Sequence, residues 1–160
     1  MLCQKRLKEL LDYSPATGDF AWRVSNSNRR KIGSKAGCAK SDGYIVIRLD
    51  NQLYRTARLA WLYMTGMWPI NKIDHINTNR SDNRWVNLRL ATNEINSQNL
   101  RKAQKNNSTG FLGVSPSEWG FRAQIKRGPG TKYLGTFETP EEAHSVYLEA
   151  KRRLHEGCTI

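Results

Sequence analysis

An aspartate and a histidine stand next to each other at positions 74 and 75, within the segment Ile73-Asp74-His75-Ile76-Asn77. Lys72 and Ile73 follow the break at Trp68-Pro69, which predicts a short strand that ends at the pair. Adjacent strand residues point to opposite faces, so Asp74 could bind a metal while His75 faces an attacking water. The alternative is that either of them is an ordinary surface turn residue.

The residues after this pair continue a pattern of polar side chains at defined spacings. The pattern consists of Asp82-Asn83-Arg84, Asn87-Leu88-Arg89, Ala91-Thr92, Asn96 and Asn99. Together with the Asp-His pair it resembles the HNH, or ββα-metal, endonucleases, particularly those encoded in phage genomes and mobile introns. The resemblance implies a homing-type enzyme that hydrolyses phosphodiester bonds of duplex DNA.

The resemblance also implies a role for each matching residue. By it, His75 is the general base, Asp74 and Asn96 bind the divalent metal, and Asn87 holds the loop so that His75 is correctly oriented. The third signature position is Asn96 where other members have His, a variant that is found in part of the family.

Hydrolysis of a phosphodiester needs a base for water and a cation that neutralises charge on the phosphate. A carboxylate with an amide oxygen suits hard Mg²⁺, or Mn²⁺, and argues against tightly bound zinc. Arg84 and Arg89 are candidate phosphate clamps, and a solvated or salt-bridged surface role is open for each.

Charge indicates a polyanionic partner. The 160 residues include 26 Lys and Arg against 14 Asp and Glu, a formal net charge of +12. Double-stranded DNA is the expected partner, although an anionic membrane surface would also attract this charge. Because the chain has no apolar run near the roughly 20 residues that span a bilayer, and no signal-peptide pattern at its start, we expect a cytoplasmic protein without a membrane partner. If the chain is phage-encoded, that cytoplasm is the bacterial host's.

Three cysteines, Cys3, Cys38 and Cys158, are widely spaced and include no Cys-x-x-Cys pair. Neither a disulfide framework nor a zinc ribbon fits this spacing, so reduced thiols without a chemical role are expected.

Residues 1–70 carry alternating helix and strand signals. The predicted elements are a helix at 2–11, a strand at 20–24, a hairpin of 43–49 and 52–56 that turns at Asp50-Asn51, and a helix at 59–64. A basic loop at 25–35, centred on Arg29-Arg30-Lys31, either tracks a phosphate backbone or is solvated surface. Residues 13–69 are similar to the region that precedes the nuclease motif in phage HNH proteins, with Ala57 where that region commonly has His.

Residues 108–158 have the pattern of a separate module. Strands are predicted at 111–114, 121–126 and 132–137. Thr139-Pro140-Glu141-Glu142 combines an N-cap, a proline at the first helical position and a capping-box glutamate, so a helix is expected to follow.

This module resembles the APETALA-type DNA-binding domain of plant ethylene-response factors. The matching residues are Gly113-Val114, Trp119-Gly120, Ala123, Ile125, Leu134-Gly135-Thr136-Phe137 and Thr139 to Ala143. In that family the three-stranded sheet enters the major groove. Alternation points Arg122, Gln124 and Lys126 outward, with Lys132 a further DNA-binding candidate on the next strand. Leu112 and Ser115 occupy places where plant members usually carry Arg, so base specificity does not transfer.

These patterns predict an α+β chain with three parts: an N-terminal strand and helix region at 1–70, an HNH ββα-metal nuclease motif at 71–105, and a three-stranded sheet with one helix at 106–160. The positive excess is +7, +4 and +1 in these parts, from 12 basic and 5 acidic, 7 and 3, and 7 and 6 residues. A monomer would nick DNA and a homodimer could cut both strands. The competing hypothesis is a non-catalytic DNA-binding transcriptional regulator.

Overall fold

The structure is a computed structural model that describes residues 2–25, 31–104 and 106–159. Arg29 and Arg30 of the predicted basic loop lie outside the described residues. The chain divides into two units, Met1–Ala91 and Thr92–Ile160. Helices and small antiparallel sheets alternate along both, which confirms the predicted mixed α+β composition. None of the described helices is long and apolar enough to cross a membrane.

The described residues of the first unit form two helices, one short 3-10 helix and three small sheets. Its elements are α1 (Gln4–Leu10), β1 (Leu11–Tyr13), β2 (Phe20–Trp22), β3 (Lys35–Ala36), β4 (Cys38–Ala39), β5 (Ile45–Leu49), β6 (Gln52–Arg55), α2 (Thr56–Thr65), β7 (Lys72–His75), η1 (Trp85–Asn87) and β8 (Leu88–Ala91). The sheets have the orders β1-β2-β3, β4-β5-β6 and β7-β8.

The predicted hairpin is present as β5 and β6, joined through Asp50 and Asn51. Both turn residues have positive φ, 43° and 62°, as a two-residue hairpin turn requires. The helix that follows begins at Thr56, three residues before the predicted start, and ends at Gly66 with a φ of 79°. The hairpin and α1 both pack against this helix, and Phe20, Leu49 and Leu59 lie in the shared core.

Ala57, at the position where the resembling phage region commonly has His, is a buried residue of α2 in this core. The position at which this chain has Ala in place of the usual His therefore contributes to core packing in the first unit.

The second unit contains α3 (Asn93–Gln98), β9 (Val114–Ser117), β10 (Gly120–Arg127), β11 (Gly130–Phe137) and α4 (Pro140–Leu154). The strands form one antiparallel sheet in the order β11-β10-β9. Ala123 and Ile125 on β10 are buried at 0% and 1% exposure, and the α4 residues Ala143 and Tyr147 belong to the same core clusters. The predicted alternation on the central strand is confirmed.

The N-terminus of α4 also forms as predicted, because the Thr139 side chain accepts a hydrogen bond from the Glu142 amide. The predicted first strand at 111–114 is wrong by three residues, since β9 begins only at Val114. Asn107 and Thr109 side chains bond the backbone around Phe111, which places that segment in a turn rather than a ladder.

Candidate active site

Asp74 and His75 lie at the end of β7, which pairs with β8 in an antiparallel hairpin. Asp74 is opposite Arg89, and His75 is opposite Leu88. Both site residues are buried, at 7% and 3% exposure. This burial distinguishes Asp74 and His75 from exposed surface turn residues, which is the alternative that the sequence left open.

The Asp74 carboxylate faces the guanidinium of its cross-strand neighbour. Arg89 donates from Nε and Nη2 to Asp74 Oδ2, at 2.9 and 2.8 Å. This pair is three-quarters or more buried on both sides, with side-chain exposures of 25% for Arg89 and 8% for Asp74. The two charge-assisted hydrogen bonds fix the orientation of the Asp74 carboxylate.

The His75 ring is fixed through Asn83, whose side chain is 1% exposed. His75 Nε2 and Asn83 Oδ1 lie 3.2 Å apart, and Asn83 Nδ2 donates to the Ser81 carbonyl at 3.1 Å. Because Asn83 Oδ1 can only accept, this contact requires a proton on Nε2 of His75. In the neutral ring the lone pair is then on Nδ1, the atom that can take a proton.

The environment of His75 favours the neutral imidazole. Burial lowers the pKa of His75, and the positive charge of Arg80 acts in the same direction. The bond to Asn83 and the negative charges of Asp74 and Asp82 oppose this change. The lowered pKa leaves His75 available as a base at neutral pH.

Asn87 closes the loop between β7 and β8. Its side-chain oxygen accepts from the Asn77 amide at 2.9 Å, and its Nδ2 donates to Asn77 Oδ1 at 3.0 Å and to the Asp82 carbonyl at 2.7 Å. The Asn87 carbonyl also accepts from Ile76 N, next to His75. A 6% exposed side chain with these bonds holds both ends of the loop together.

A turn near the N-terminus supports the same loop from outside the motif. The Tyr13 hydroxyl donates to the Asn83 carbonyl at 2.7 Å, and Trp85 N donates to Pro15 O at 3.0 Å. Burial, followed by the charge of Asp82, raises the pKa of Tyr13, so the hydroxyl stays a donor. The sequence pattern includes Asn83 only within the Asp82-Asn83-Arg84 motif and does not predict its side-chain contact with His75.

Gly18 in this turn packs closely against the backbone of Asn83 and Arg84. A Cβ at Gly18 would lie 2.4 Å from both Arg84 N and Asn83 C, and the residue has a φ of +78°. Only glycine allows this approach without displacing the segment that positions Asn83. The loop around His75 is thus supported by residues more than sixty positions earlier in the chain.

Arg84 and Arg89, the two sequence-predicted phosphate clamps, are both in ion pairs. Arg84 donates to Asp82 from Nε at 2.8 Å and from Nη2 at 2.6 Å, and its guanidinium holds the pKa of that carboxyl down at about 2. Arg89 is paired with Asp74 as described. In this structure both arginines form salt bridges, which is one of the roles that the sequence left open. A phosphate contact by either residue stays a prediction.

The remaining predicted metal ligand, Asn96, is an exposed residue of α3 in the second unit. Its pairing with Asp74 at one metal stays a prediction. Among the described residues no group of three or more His, Cys, Asp and Glu side chains could hold a metal ion. A single buried carboxylate still fits Mg²⁺, which keeps several waters and is commonly held by one or two carboxylates with substrate phosphates.

On the sheet of the second unit, Arg122, Gln124 and Lys126 are exposed, as the alternation predicts. Lys132 on β11 is also exposed, yet its register partner is the buried Ile125. Cross-strand partners point to the same face of a sheet. The Lys132 side chain therefore lies on the face of Ile125, opposite to the face that carries Arg122, Gln124 and Lys126.

Gln124 instead pairs with Tyr133, which is 59% exposed and bonds Thr136 through its hydroxyl at 2.9 Å. Tyr133 is a residue of this exposed face that the sequence reasoning missed, because the bulge between Ala123 and Gln124 changes the register.

Part of the chain is similar to a known protein family. Residues 54–98 match a family model described as HNH endonuclease. This segment runs from β6 to α3 and includes Asp74, His75, Asn87 and Asn96. The match supports an HNH nuclease domain with DNA as its substrate. No curated protein and no solved structure matches the chain.

Proposed function

We propose that this protein is a divalent-metal-dependent endonuclease that hydrolyses phosphodiester bonds of duplex DNA at the Asp74–His75 pair. The observation that carries the proposal is the buried imidazole of His75, held by Asn83 Oδ1 within the segment that matches HNH endonucleases. A protein that only binds DNA has no need for a histidine fixed beside a buried carboxylate. The homing type stays a prediction from the resemblance.

In the proposed mechanism His75 is the general base. Its Nε2–H donates to Asn83 Oδ1, so Nδ1 takes the proton of the attacking water. Asn87 keeps the loop closed through its three bonds to Asn77 and Asp82, which limits rotation of the His75 backbone. These contacts preorganise the base before DNA arrives.

Asp74 is the residue that would hold the divalent cation. Mg²⁺ or Mn²⁺ held there would supply the positive charge that stabilises the phosphate and the leaving oxygen. Arg89 orients the Asp74 carboxylate through two hydrogen bonds and is therefore a positioning residue. Asn96 remains the predicted second ligand.

The sheet of the second unit supports a role in DNA contact. Arg122, Gln124 and Lys126 present donors on one exposed face, and such donors can contact phosphates and base edges. We infer that this face helps select the cleavage site. The resemblance to APETALA-type domains suggests major-groove contact, and the buried, alternating Ala123 and Ile125 are consistent with a rigid sheet.

The proposal is tested by incubating supercoiled plasmid with the protein in Mg²⁺ and, separately, in chelator. We expect nicked or linear DNA only with the metal, and no product from His75→Ala. A mobility-shift assay in chelator should show that His75→Ala binds duplex DNA as well as the wild type does, because the base acts on water and not on binding. A wild-type chain that binds duplex DNA but cuts in neither Mg²⁺ nor Mn²⁺ would instead support the regulator hypothesis.

A further inference from the structure

Tyr44 lies beside the candidate base, just before β5, and two guanidinium groups lie over its ring. The Tyr44 and His75 ring centroids are 5.9 Å apart. The Arg55 guanidinium carbon is 3.9 Å from the Tyr44 centroid, and that of Arg80 is 5.0 Å from it. Arg55 ends β6, and Arg80 belongs to the loop after β7, so two separate segments bring positive charge to one aromatic ring next to His75.

Arg80 is held in this position by contacts other than the ring. Its Nη1 donates to the Asp42 carbonyl at 2.9 Å. Its stem lies across Gly43, where an added Cβ would be 3.8 Å from Arg80 Cβ and 3.9 Å from Cδ. Gly43 itself has a φ of +83°, a backbone conformation that glycine adopts without strain. The guanidinium is therefore preorganised, although the residue is exposed.

These two arginines differ from the two that the sequence singled out. Arg84 and Arg89 each donate two hydrogen bonds to a carboxylate. Within the described part of the chain, Arg80 makes one hydrogen bond to a neutral carbonyl, which leaves most of the five N–H donors of a guanidinium for a ligand. Besides the Tyr44 ring, the Arg55 guanidinium has one polar contact among the described residues, a long one of 3.5 Å with the exposed Asp42 carboxylate. Arg55 and Arg80 together carry two positive charges, and the Asp42 side chain offsets one of them, so the cluster has a net positive charge.

We propose that Tyr44, Arg55 and Arg80 form a phosphate clamp that holds the DNA strand beside His75. The proposal rests on the proposed function, since it takes the ligand to be a DNA phosphodiester. A guanidinium presents a planar fork that matches two phosphate oxygens, and stacking on Tyr44 reduces the side-chain entropy lost when it binds. The +12 charge of the chain favours a polyanion over an acidic peptide of few charges.

The competing explanation is structural: the stacked arginines would only fasten the loop after β7 to the β5–β6 hairpin. Both explanations predict lower stability when an arginine is removed. Only the clamp predicts a change in the number of ions released on DNA binding, because that number follows the phosphates neutralised by the protein.

The test is fluorescence anisotropy of a labelled duplex in chelator, repeated over a salt series, so that no cleavage is needed. For Arg80→Gln and for Arg55→Gln we expect weaker binding and a slope of log K against log salt that is smaller by about 0.9 per lost phosphate contact. Arg80→Lys should keep most of the slope. The control is Arg23→Gln, another half-exposed arginine of the first unit, paired with Asp12 at 3.4 Å, which should leave the slope unchanged.

Tyr44 offers a second pair of variants. Its hydroxyl takes part in no hydrogen bond within the described residues, so Tyr44→Phe should bind like the wild type, whereas Tyr44→Leu should bind more weakly because the guanidinium platform is lost.

Equal slopes for the wild type, Arg80→Gln and Arg55→Gln, with thermal melts that show folded proteins, would overturn the clamp in favour of loop fastening. Absence of salt-dependent duplex binding by the wild type would overturn it as well. Salt-dependent binding without cleavage in Mg²⁺ or Mn²⁺ would overturn only the proposed nuclease, and the slopes would still decide the clamp.

Discussion

Replacement of Asn83 by alanine should reduce cleavage by changing His75 and not by unfolding the protein. The substitution removes the Oδ1 atom that lies 3.2 Å from His75 Nε2, and it also removes the Nδ2 bond to the Ser81 carbonyl. The Tyr13 bond to the Asn83 backbone carbonyl and the Asn87 bonds that close the loop do not involve the Asn83 side chain, so they are kept.

The magnitude follows from the burial of both partners. A neutral hydrogen bond has a net value of about 0.5–1.5 kcal/mol, so the oriented imidazole should become about 2–13 times less populated, with a similar fall in kcat/KM. A buried N–H left without a partner costs about 1–3 kcal/mol of stability. For a domain the size of the first unit, each kcal/mol lowers Tm by about 4–8 °C.

The pH profile separates the two effects. Burial lowers the pKa of His75 and the Asn83 bond opposes that shift, so loss of the bond lowers the pKa further. Because the neutral ring is the base, activity rises with pH through this pKa, and the acid limb of kcat/KM should move to lower pH in Asn83→Ala.

The assay is single-turnover plasmid cleavage over a pH series, below the melting temperature of each variant. The control is Ser81→Ala in the same loop, which removes an exposed hydroxyl bonded to Asn79 and keeps the carbonyl that orients Asn83. A rate that falls only with the folded fraction, and an acid limb that stays in place, would refute a positioning role for Asn83.

Three further predictions concern other parts of the molecule. Gly18→Ala should lower the Tm of the first unit far more than Gly33→Ala does. Both residues have a φ of +78°, but only a Cβ at Gly18 would meet backbone atoms, at 2.4 Å. Equal Tm shifts for the two variants would contradict this. Thr139→Ala should lower the stability of the second unit by about 1 kcal/mol through loss of the N-cap bond to Glu142, measured by urea unfolding, and no change in midpoint would count against the cap. Asp74→Asn should abolish cleavage and weaken Mn²⁺ binding measured by calorimetry without DNA, whereas unchanged binding would remove Asp74 from the metal site.

Local features of this protein could be predicted from its sequence because they depend on a few neighbouring residues. Asp50-Asn51 between two alternating runs predicted the β5–β6 hairpin, and Thr139-Pro140 predicted the start of α4. Turn residues and caps act through their own backbone hydrogen bonds, so distant packing changes them little. Alternation likewise identified the exposed and buried sides of β10, since successive side chains point to opposite faces.

The strand limits were less predictable where side chains compete with the ladder. The side chains of Asn107 and Thr109 form hydrogen bonds with the backbone of Phe111, so an apolar run that favours a strand forms a turn. The strand β9 therefore begins only at Val114. The sequence groups α3 with the preceding motif, and the family match at residues 54–98 also includes this helix, while the structure places it in the second unit. There Gln98 accepts from Gly157 N at 3.0 Å, and the Leu100 carbonyl accepts from the Lys151 ammonium.

By itself the sequence determined which residues could do chemistry: the adjacent Asp74 and His75, and the net positive charge that favours DNA. Only the tertiary structure decided how they are held. In the folded chain Tyr13 donates a hydrogen bond to Asn83, which lies 70 positions later. Arg89 is paired with Asp74, and the Arg80 guanidinium lies over the Tyr44 ring. The physical reason is that residue type and period encode burial and turns over a few positions, whereas the partner of a charged or amide side chain depends on which distant segments the core brings together.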